Sequence, residues 1–557
     1  MKKPDIADVA SALEELGGRI ELEGGNPYRA RAYRRAAENL ALSPVPLSKL
    51  IADGSLTEVP GVGEAIAAVI TEIYETGDYA SAKAKKAIPR GVLEMLKVPG
   101  LRPDRVRKLH EDLGISSLAE LESAAKTDLL KSTKGYGAAF QAKVLQGIAI
   151  SRGSQGMHIH RAATALDQAI AHLGRVDPNW SSITPAGEFR RACELVGDLQ
   201  VVAVDPNLDS EDQVIHQGAK VTVHVTTPER YGIALLLATG SEGHLHALSA
   251  WAKKQRLSLD KDGVRQKNKI IASRTEEEIY AALRLPFIPP ELRETGKEVE
   301  AAGEGRLSDL VTQDDIKGIL HAHTLESDGS DTLEDMAKAT RDRGFSYLGL
   351  TDHSQTAHYA GGLKPEEVIA QQSRVEKLNK RLGTRFHVFK GIESDILGDG
   401  SLDYSEDILS SFDLVIASVH SKFSLPKREQ TDRIIKAIEN PHTTVLGHVT
   451  GRQLLKRPGY EVDMERILKA CAKHGVAMEI NAHPWRLDMD WRWCERALEL
   501  GCIFSINPDA HSTGEIDNVR WGVLMARKGW VPKDRVLNAK SLAGFREHLR
   551  ARNKRRR

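Results

Sequence analysis

IKGILHAH, residues 316–323, is an apolar run that closes on His321 and His323, with Asp328 just beyond. Five further runs end the same way. FSYLGLTDH closes on His353, FHVFKGIE on Glu393, FDLVIASVH on His420, TTVLGH on His448, and CIFSINPDAH on Asp509 and His511. Side chains two apart on a strand share a face, so each H-x-H or D-x-H pair points both donors at one place. A lone strand-end histidine is ordinary; the same placement on six separate runs indicates a metal site. Imidazole and carboxylate donors suit Zn2+ or Mn2+.

From about residue 316 onward, seven apolar strand-like runs alternate with helical stretches. They centre on Leu320, Leu350, Val388, Val415, Val445, Met478 and Ile503. Such alternation predicts a parallel sheet. Ligands gathered at strand C-termini predict a barrel with its site at that face. Seven strands fit a distorted β/α barrel better than a regular eight-fold one.

The rest of the composition narrows the class. At 557 residues the chain holds several domains. The net charge of +1 makes any nucleic-acid surface local rather than global. No apolar run has the length of a membrane span and no signal peptide opens the sequence, so the expectation is a cytoplasmic protein. Cys193, Cys471, Cys494 and Cys502 show no C-x-x-C spacing, which fits buried thiols and argues against an iron–sulfur centre.

Residues 1 to about 150 read as helical. VPGVGEAIAAVITEI (59–73) and VPGLRPDRVRKLHEDLGI (98–115) are each a tight Gly turn opening into a helix, and KGYGAAFQAKVLQGI from Lys134 is a looser copy. Backbone N–H groups in such a turn, with the helix dipole, cradle phosphate. The first copy resembles the helix-hairpin-helix motif of DNA repair proteins, which grips DNA backbone without reading sequence. Gly61, Gly63 and Gly100 are the expected contacts. NPYRARAYRRAAENL (26–40) adds Arg29, Arg34 and Arg35 as candidate phosphate-binding residues, although a solvated helix face reads equally well.

From 151 to 290 the pattern is mixed strand and helix. ITPAGEFRRACELVGDLQVVAV (183–204) reads as a helix feeding a strand, VTVHVTT as an alternating strand, and YGIALLLATG as an apolar helix. The polar, Gly/Glu-rich stretch 291–315 reads as a linker, and the basic tail 551–557 as a disordered end.

The Gly turns, then GEFRRACELVGDLQVV (187–202), then TEEEIYAALRLPFIPPELRE (275–294), then the metal motifs follow in one order. That order resembles the bacterial family X DNA polymerases (PolX type) that carry a C-terminal PHP (polymerase and histidinol phosphatase) domain. The most specific motifs are HAHTLESDGS, GLTDHS, GIESDI, SVHS, GHVTGR and NPDAHS. The resemblance implies a helical DNA-binding domain over 1–90, and a fingers-like domain with a second helix-hairpin-helix over 91–150. An α+β nucleotidyltransferase-like palm and thumb would cover 151–290, and the PHP phosphoesterase 316–550. It further implies up to three metal ions held by His321, His323, Asp328, His353, Glu393, His420, His448, Asp509 and His511, and 3′-to-5′ exonuclease or 3′-end processing of DNA. Arg452, Lys422 and Arg486 are candidate phosphate clamps by charge and position. His483 and Asp488 lie in a loop that adds no ligand to this set.

The palm departs from the family pattern. Family palms hold two metals with three carboxylates, two of them in a Gly-Asp-x-Asp strand. Here that strand reads Gly197-Asp198-Leu199-Gln200, and the third position is Thr222. The expected Gly-Ser of the palm is Gly187-Glu188, which sets a carboxylate where phosphates would bind. Asp198 alone remains, and one acid cannot clamp two Mg2+ ions, so Mg2+ at the palm is not expected. Asp205 and Asp209 lie nearby as nominal substitutes, but beyond the strand. The helix EAIAAVITEI has no lysine, so a Schiff-base lyase is not expected either. Three readings follow: a DNA nuclease with a vestigial polymerase scaffold, an active polymerase with a proofreading domain, or a small-molecule phosphatase of the histidinol-phosphate type.

Overall fold

The computed structural model describes residues 4, 6–41, 45, 47–77, 88–99, 101–153, 156–208, 213–217 and 221–556. The chain forms two compact units, one over Met1–Phe287 with Leu455–Arg457, the other over Ile288–Leu454 and Pro458–Arg557. No helix among the described residues is long and apolar enough to cross a membrane.

The first unit begins with helices that share two separate cores. Helices Ile6–Leu22 and Pro27–Ala41 pack through Val9, Leu13, Leu16, Tyr33, Ala36 and Leu40, together with Val69, Ile70 and Ile73 of helix Glu64–Thr76. Gly63 caps that last helix in extended conformation, and Gly77 ends it at φ +74°. A second core gathers Val92, Met95, Val98, Val106, Leu109, Leu121, Val144 and Ile148. Its helix Pro103–Leu113 opens with proline, where no N–H is needed, and closes on left-handed Gly114.

Strands β1 (Met157–His158) and β3 (Leu195–Val196) form a short antiparallel pair. Strands β2 (Ser182–Pro185), β4 (Leu199–Val204), β5 (Gln213–Gln217) and β6 (Val221–Thr226) form a sheet in the order β2-β4-β6-β5. Only its β4–β6 pair is parallel. Period-two alternation divides the strands cleanly. Leu199, Val201, Ala203, Val221, Val223 and Val225 join the core with helix Ile159–Val176, while Val202 packs on Leu235 of helix Tyr231–Thr239. Segment 183–204 therefore begins as a strand, not as the expected helix; only Gly187–Arg190 is helical. Antiparallel β7 (Ser258–Asp260), β8 (Gly263–Gln266) and β9 (Lys269–Ala272) follow.

In the second unit, β10 (Gly318–Ile319), β11 (Tyr347–Leu350), β12 (His387–Asp395), β13 (Leu414–Ser418), β14 (Thr443–Leu446), β15 (Ala477–Asn481) and β16 (Phe504–Asn507) pair in chain order. Every pair is parallel. This is the expected distorted β/α barrel of seven strands among the described residues. A parallel bridge between Ala322 and Ala510 draws its two ends together, with His323 N donating to Ala510 O at 2.8 Å. Each bridging alanine sits between two candidate ligands, so the closure that completes the ring also sets those ligands side by side. Phe545 and Leu549 of the C-terminal helix plug the strand starts, against Tyr347, Phe389, Leu414 and Ala477. Polar residues then occupy the strand ends.

Two expectations are corrected here. Residues 291–315 are not a linker but part of the second unit. Arg293 and Glu298 are fully buried, and Arg527 and Lys528 pair with Glu291 (2.7 Å) and Glu294 (2.5 Å). Burial of charge demands partners: Arg293 donates to Ile288 O and Glu298 accepts from Gly296 N nearby, but Glu291 and Glu294 find theirs on a helix more than 200 residues away, out of reach of composition. The basic tail is also not a loose end. Helix Leu542–Arg556 runs through it, and Arg552 donates to the backbone carbonyls of Thr443, His474 and Gly475.

Candidate metal centre

All nine candidate ligands converge at the strand C-termini. The centre is Glu393, buried at the end of β12. Its Oε1 lies 2.9 Å from His448 Nε2, 3.4 Å from His420 Nε2 and 3.5 Å from His321 Nε2. Its Oε2 lies 2.9 Å from His353 Nδ1 and 3.7 Å from His323 Nε2. Asp509 Oδ1 approaches His323 Nε2 at 3.2 Å and His321 Nε2 at 3.4 Å. Asp328 Oδ1 lies 3.3 Å from His511 Nε2, 3.5 Å from His353 Nε2 and 3.8 Å from His323 Nδ1.

Seven of the nine fall into three overlapping groups, each within 4.8 Å: His323, Asp328, His353 and His511; His321, His323 and Glu393; His353, Glu393 and His420. Ligand–ligand separations of this size suit ions about 2 Å from each donor. Buried polar atoms test the fit. His321 Nε2, His323 Nδ1 and His448 Nδ1 are buried with no hydrogen-bond partner among the described residues, and His353 Nδ1 and Glu393 Oε2, although 2.9 Å apart, do not meet in hydrogen-bond geometry. Orphaned buried donors are costly, and four of these five belong to the three groups. The residues fit divalent cations.

The electrostatics agree. Burial alone would neutralise every group, yet the imidazoles of His420, His321 and His353 hold the Glu393 carboxyl well below the usual range. Asp509 is held down likewise, chiefly by His321 and His323. Against the same burial, Glu393 and Asp328 raise His353 to about 10, and Asp328 with Asp509 raises His511 to about 9. Burial and the neighbouring His353 and His511 push His323 down to about 3. The shifts of Glu393, Asp509, His353 and His511 mark a place where positive charge is favoured, as divalent cations would supply.

Several carboxylates behind the ligands escape sequence reading. Glu479 Oε1 takes His321 Nδ1 at 2.7 Å, and Asp395 Oδ1 takes His420 Nδ1 at 2.6 Å. Each leaves the imidazole Nε2 facing the centre and favours it as a donor. Glu479 is itself held by His448 N, Asn481 Nδ2 and Asn507 Nδ2. Asp352 accepts from Thr324 N, Thr324 Oγ1, Ser327 Oγ and Gln371 Nε2, which pins the loop bearing Asp328. Asp395 stands two residues after Glu393 on the same strand face, and Glu479 interrupts the apolar run VAMEI. Both were visible as acids in strands, but nothing local named their partners.

The three candidate clamps divide. Arg486 Nε lies 3.6 Å from Asp509 Oδ2, at the edge of the centre, and His483 and Trp485 share its loop. Arg452 turns elsewhere. Its guanidinium donates to Arg486 O, Leu487 O and Asp490, and so holds the loop of Arg486 rather than a phosphate. Asp488, open in role from sequence, accepts from Thr450 N and Oγ1 and braces the same loop. Lys422 is exposed at φ +54°, with its side chain laid over Gly398.

In the first unit, Gly61 adopts φ +82°, and the Arg35 side chain lies against it; a Cβ there would meet Arg35 Cγ at 3.1 Å. Asn39 Nδ2 donates to Pro60 O at 2.6 Å, tying the turn to the arginine helix. Arg29 lies 5.7 Å over the Tyr33 ring. Arg34 departs from expectation: it pairs with Glu21 at 2.9 Å and closes the first two helices on each other. Gly100 falls outside the described residues.

The palm positions do come together. Gln200 and Thr222 are register partners on β4 and β6, on the face away from the Leu199–Val201–Ala203 core. Gln200 Nε2 donates to Asp198 Oδ2 at 2.8 Å, and its Oε1 lies 3.2 Å from His224 Nε2. Glu188 Oε2 accepts from Gly197 N at 2.6 Å. Asp205 begins beyond the opposite end of β4, about 20 Å along the strand from Asp198, so it cannot replace a lost acid. Asp209 lies outside the described residues.

Comparison with known families agrees with this architecture. Family models described as "Helix-hairpin-helix domain", "SAM-like Helix-hairpin-helix tandem", "DNA polymerase beta thumb" and "PHP domain" match residues 4–79, 92–142, 234–294 and 320–483. The DNA polymerase/3′-5′ exonuclease PolX of Bacillus subtilis (strain 168) is 33% identical over 575 aligned residues, covering 98% of this chain and 99% of its own. A probable phosphatase of Thermoanaerobacter sp. (strain X514) is 26% identical over 249 residues, 41% of this chain and 93% of its own. A probable phosphatase of Vibrio parahaemolyticus is 29% identical over 233 residues, 39% of this chain and 87% of its own.

Proposed function

Because this chain belongs to the family X DNA polymerases of PolX type with a C-terminal PHP domain, we propose that it is a metal-dependent DNA phosphodiesterase acting 3′ to 5′, with a DNA-binding but non-polymerising core. The observation that carries the reading is the asymmetry between its two candidate centres. The barrel clusters seven of the nine candidate ligands within reach of ions and leaves buried ligand atoms unpaired, whereas the palm retains only Asp198 beside neutral Gln200 and Thr222.

Divalent ions bound in the barrel would activate water, polarise phosphoryl oxygens and neutralise charge on the leaving oxygen. The chain's own groups supply the rest. His321, His323, Asp328, His353, Glu393, His420, His448, Asp509 and His511 hold the ions, with Mn2+ or Zn2+ matching the donor set. Glu479 and Asp395 fix the imidazoles of His321 and His420. Arg486, at the rim beside Asp509, is placed to hold a phosphate oxygen. The Gly61 turn and Arg35 grip DNA backbone without reading bases.

An active polymerase is the second reading, favoured by the name of the Bacillus subtilis relative. One experiment separates the two: purified protein with Mn2+ on 3′- and 5′-labelled gapped duplexes, with and without deoxynucleotides. Shortening from the 3′ end under both conditions is expected. Extension of the primer when nucleotides are added would overturn the non-polymerising core.

A further inference from the structure

Tyr359 stands at the mouth of the metal centre with no structural task to explain it. Its side chain is 71% exposed, which is unusual for a large aromatic. The ring centroid lies 6.2 Å from that of His353 and 6.4 Å from that of His420. It is carried on a tight single turn, His358–Ala360, whose flanking Ala357 and Ala360 are buried.

That turn is firmly tied to the ligand strand end. Ala360 N donates to Ala357 O at 2.9 Å, Gly362 N to Ala357 O at 3.1 Å, and Leu363 N to His353 O at 2.9 Å. A Cβ at Gly362 would collide with Ser354 O, so the turn sits directly on the segment after His353. The Asp328 loop abuts it, since a Cβ at Gly361 would lie 3.5 Å from Ser327 O. That loop exposes a second apolar side chain, Leu325, at 58%. The ring is thus held out into solvent, beside the ligands, by a backbone with little freedom to withdraw it.

The geometry points to Tyr359 as a stacking platform for a nucleobase that flanks the phosphodiester held at the metal centre. The inference rests on the phosphodiesterase reading above and names what that site prefers. An interior base of a duplex has both faces covered by its neighbours, and a paired terminal base has one. A platform beside the scissile phosphate therefore best serves a base that has left the stack. Frayed, mismatched and overhanging 3′ ends become the favoured substrates over fully paired ends. Stacking needs the ring face and not the phenol oxygen, and it tolerates any base.

The test uses the full chain with Mn2+ and three single-stranded 3′ overhangs of one sequence. One is natural, one has a tetrahydrofuran abasic residue at the 3′ terminus, and one has it at the penultimate position. For the wild type, at least one abasic strand is expected to be cut about 5- to 150-fold more slowly than the natural strand, the span of one base–aromatic stack. Tyr359→Phe keeps that ratio, and Tyr359→Ala brings it to about unity by slowing only the natural strand. Metal content of Tyr359→Ala should match the wild type, because the ring makes no ligand bond. Cleavage of all three strands at equal rates by the wild type, or an unchanged ratio in Tyr359→Ala, would overturn the platform and leave the phosphodiesterase reading intact. Cleavage of none of them would overturn both.

Discussion

Glu479 Oε1 lies 2.7 Å from His321 Nδ1, and this contact turns His321 Nε2 toward Glu393 and Asp509. Both side chains are fully buried, so the pair is a charge-assisted contact shielded from solvent, with Asn507 Nδ2 sharing the same carboxylate oxygen. Glu479→Gln keeps the size but removes the charge that makes the imidazole a strong donor. Metal affinity should fall about 10- to 100-fold, with the fold retained. Glu479→Ala goes further, because it strands His448 N and the amides of Asn481 and Asn507. Each group left without a partner costs about 1–3 kcal/mol. Metal titration and thermal melting of the two variants separate the effects.

More than one equivalent of Mn2+ or Zn2+ should remain with the protein after reconstitution and desalting. The three donor groups share Glu393, His323 and His353, so losses should propagate between ions. Asp509→Asn and His511→Ala should each lower the bound metal and abolish hydrolysis. Elemental analysis showing less than one equivalent in the wild type would sink the assignment.

The ion-free protein should lose stability as pH rises, and the loaded protein should not. His353 and His511 are raised from 6.5 to about 10 and about 9 by Asp328 with Glu393 and Asp509, against the opposing effect of burial. A raised folded-state pKa contributes stability that is complete below about 6.5 and is lost as pH climbs through 9 to 10. Glu393 and Asp509, held low, contribute across that whole range and lose their share only in acid. Melting temperature should therefore decline between about pH 6.5 and 10 in chelator, and this decline should vanish with bound Mn2+. Loading should also release protons, readable by calorimetry in buffers of different ionisation enthalpy. A flat melting profile in chelator would contradict the charge arrangement.

Degradation of DNA should disappear in His353→Ala and His420→Ala and survive in Asp198→Ala. Asp198 already accepts a hydrogen bond from Gln200, a neutral side chain in a carboxylate's place. The wild type should show no template-directed addition to a primed gap. If Asp198→Ala stopped degradation while the two histidine variants kept it, hydrolysis would have to be moved out of the barrel.

Binding of the full chain to duplex DNA should be insensitive to sequence and fall steeply with salt. Arg35→Ala should weaken it on every sequence alike and reduce the slope of log affinity against log salt by about 1. Arg34→Ala should act differently, by loosening the first two helices through loss of its Glu21 contact. Fluorescence anisotropy across a salt series, alongside melting curves, distinguishes a lost phosphate contact from a lost structural one.

The placement of the candidate ligands was legible because it obeys local rules. A strand fixes which residues share a face, an apolar run marks where it is buried, and a histidine at its end marks the rim. These rules need only a few consecutive residues, and from them came the barrel, its seven strands and the nine candidate ligands that converge at its rim. The same locality exposed the Gly turns and the missing palm acids at Gln200 and Thr222. It could not say that Glu479 serves His321, 158 residues earlier. Nor could it say that Arg452 spends its charge on the loop of Arg486, that Arg34 closes on Glu21, or that the polar stretch 291–315 is packed into the second unit. A charged side chain reads the same in sequence whether it faces water, a phosphate or a buried carbonyl. Only closure of the ring, through Ala322 and Ala510, brings the distant partners within reach, and burial then decides which of them each charge must satisfy.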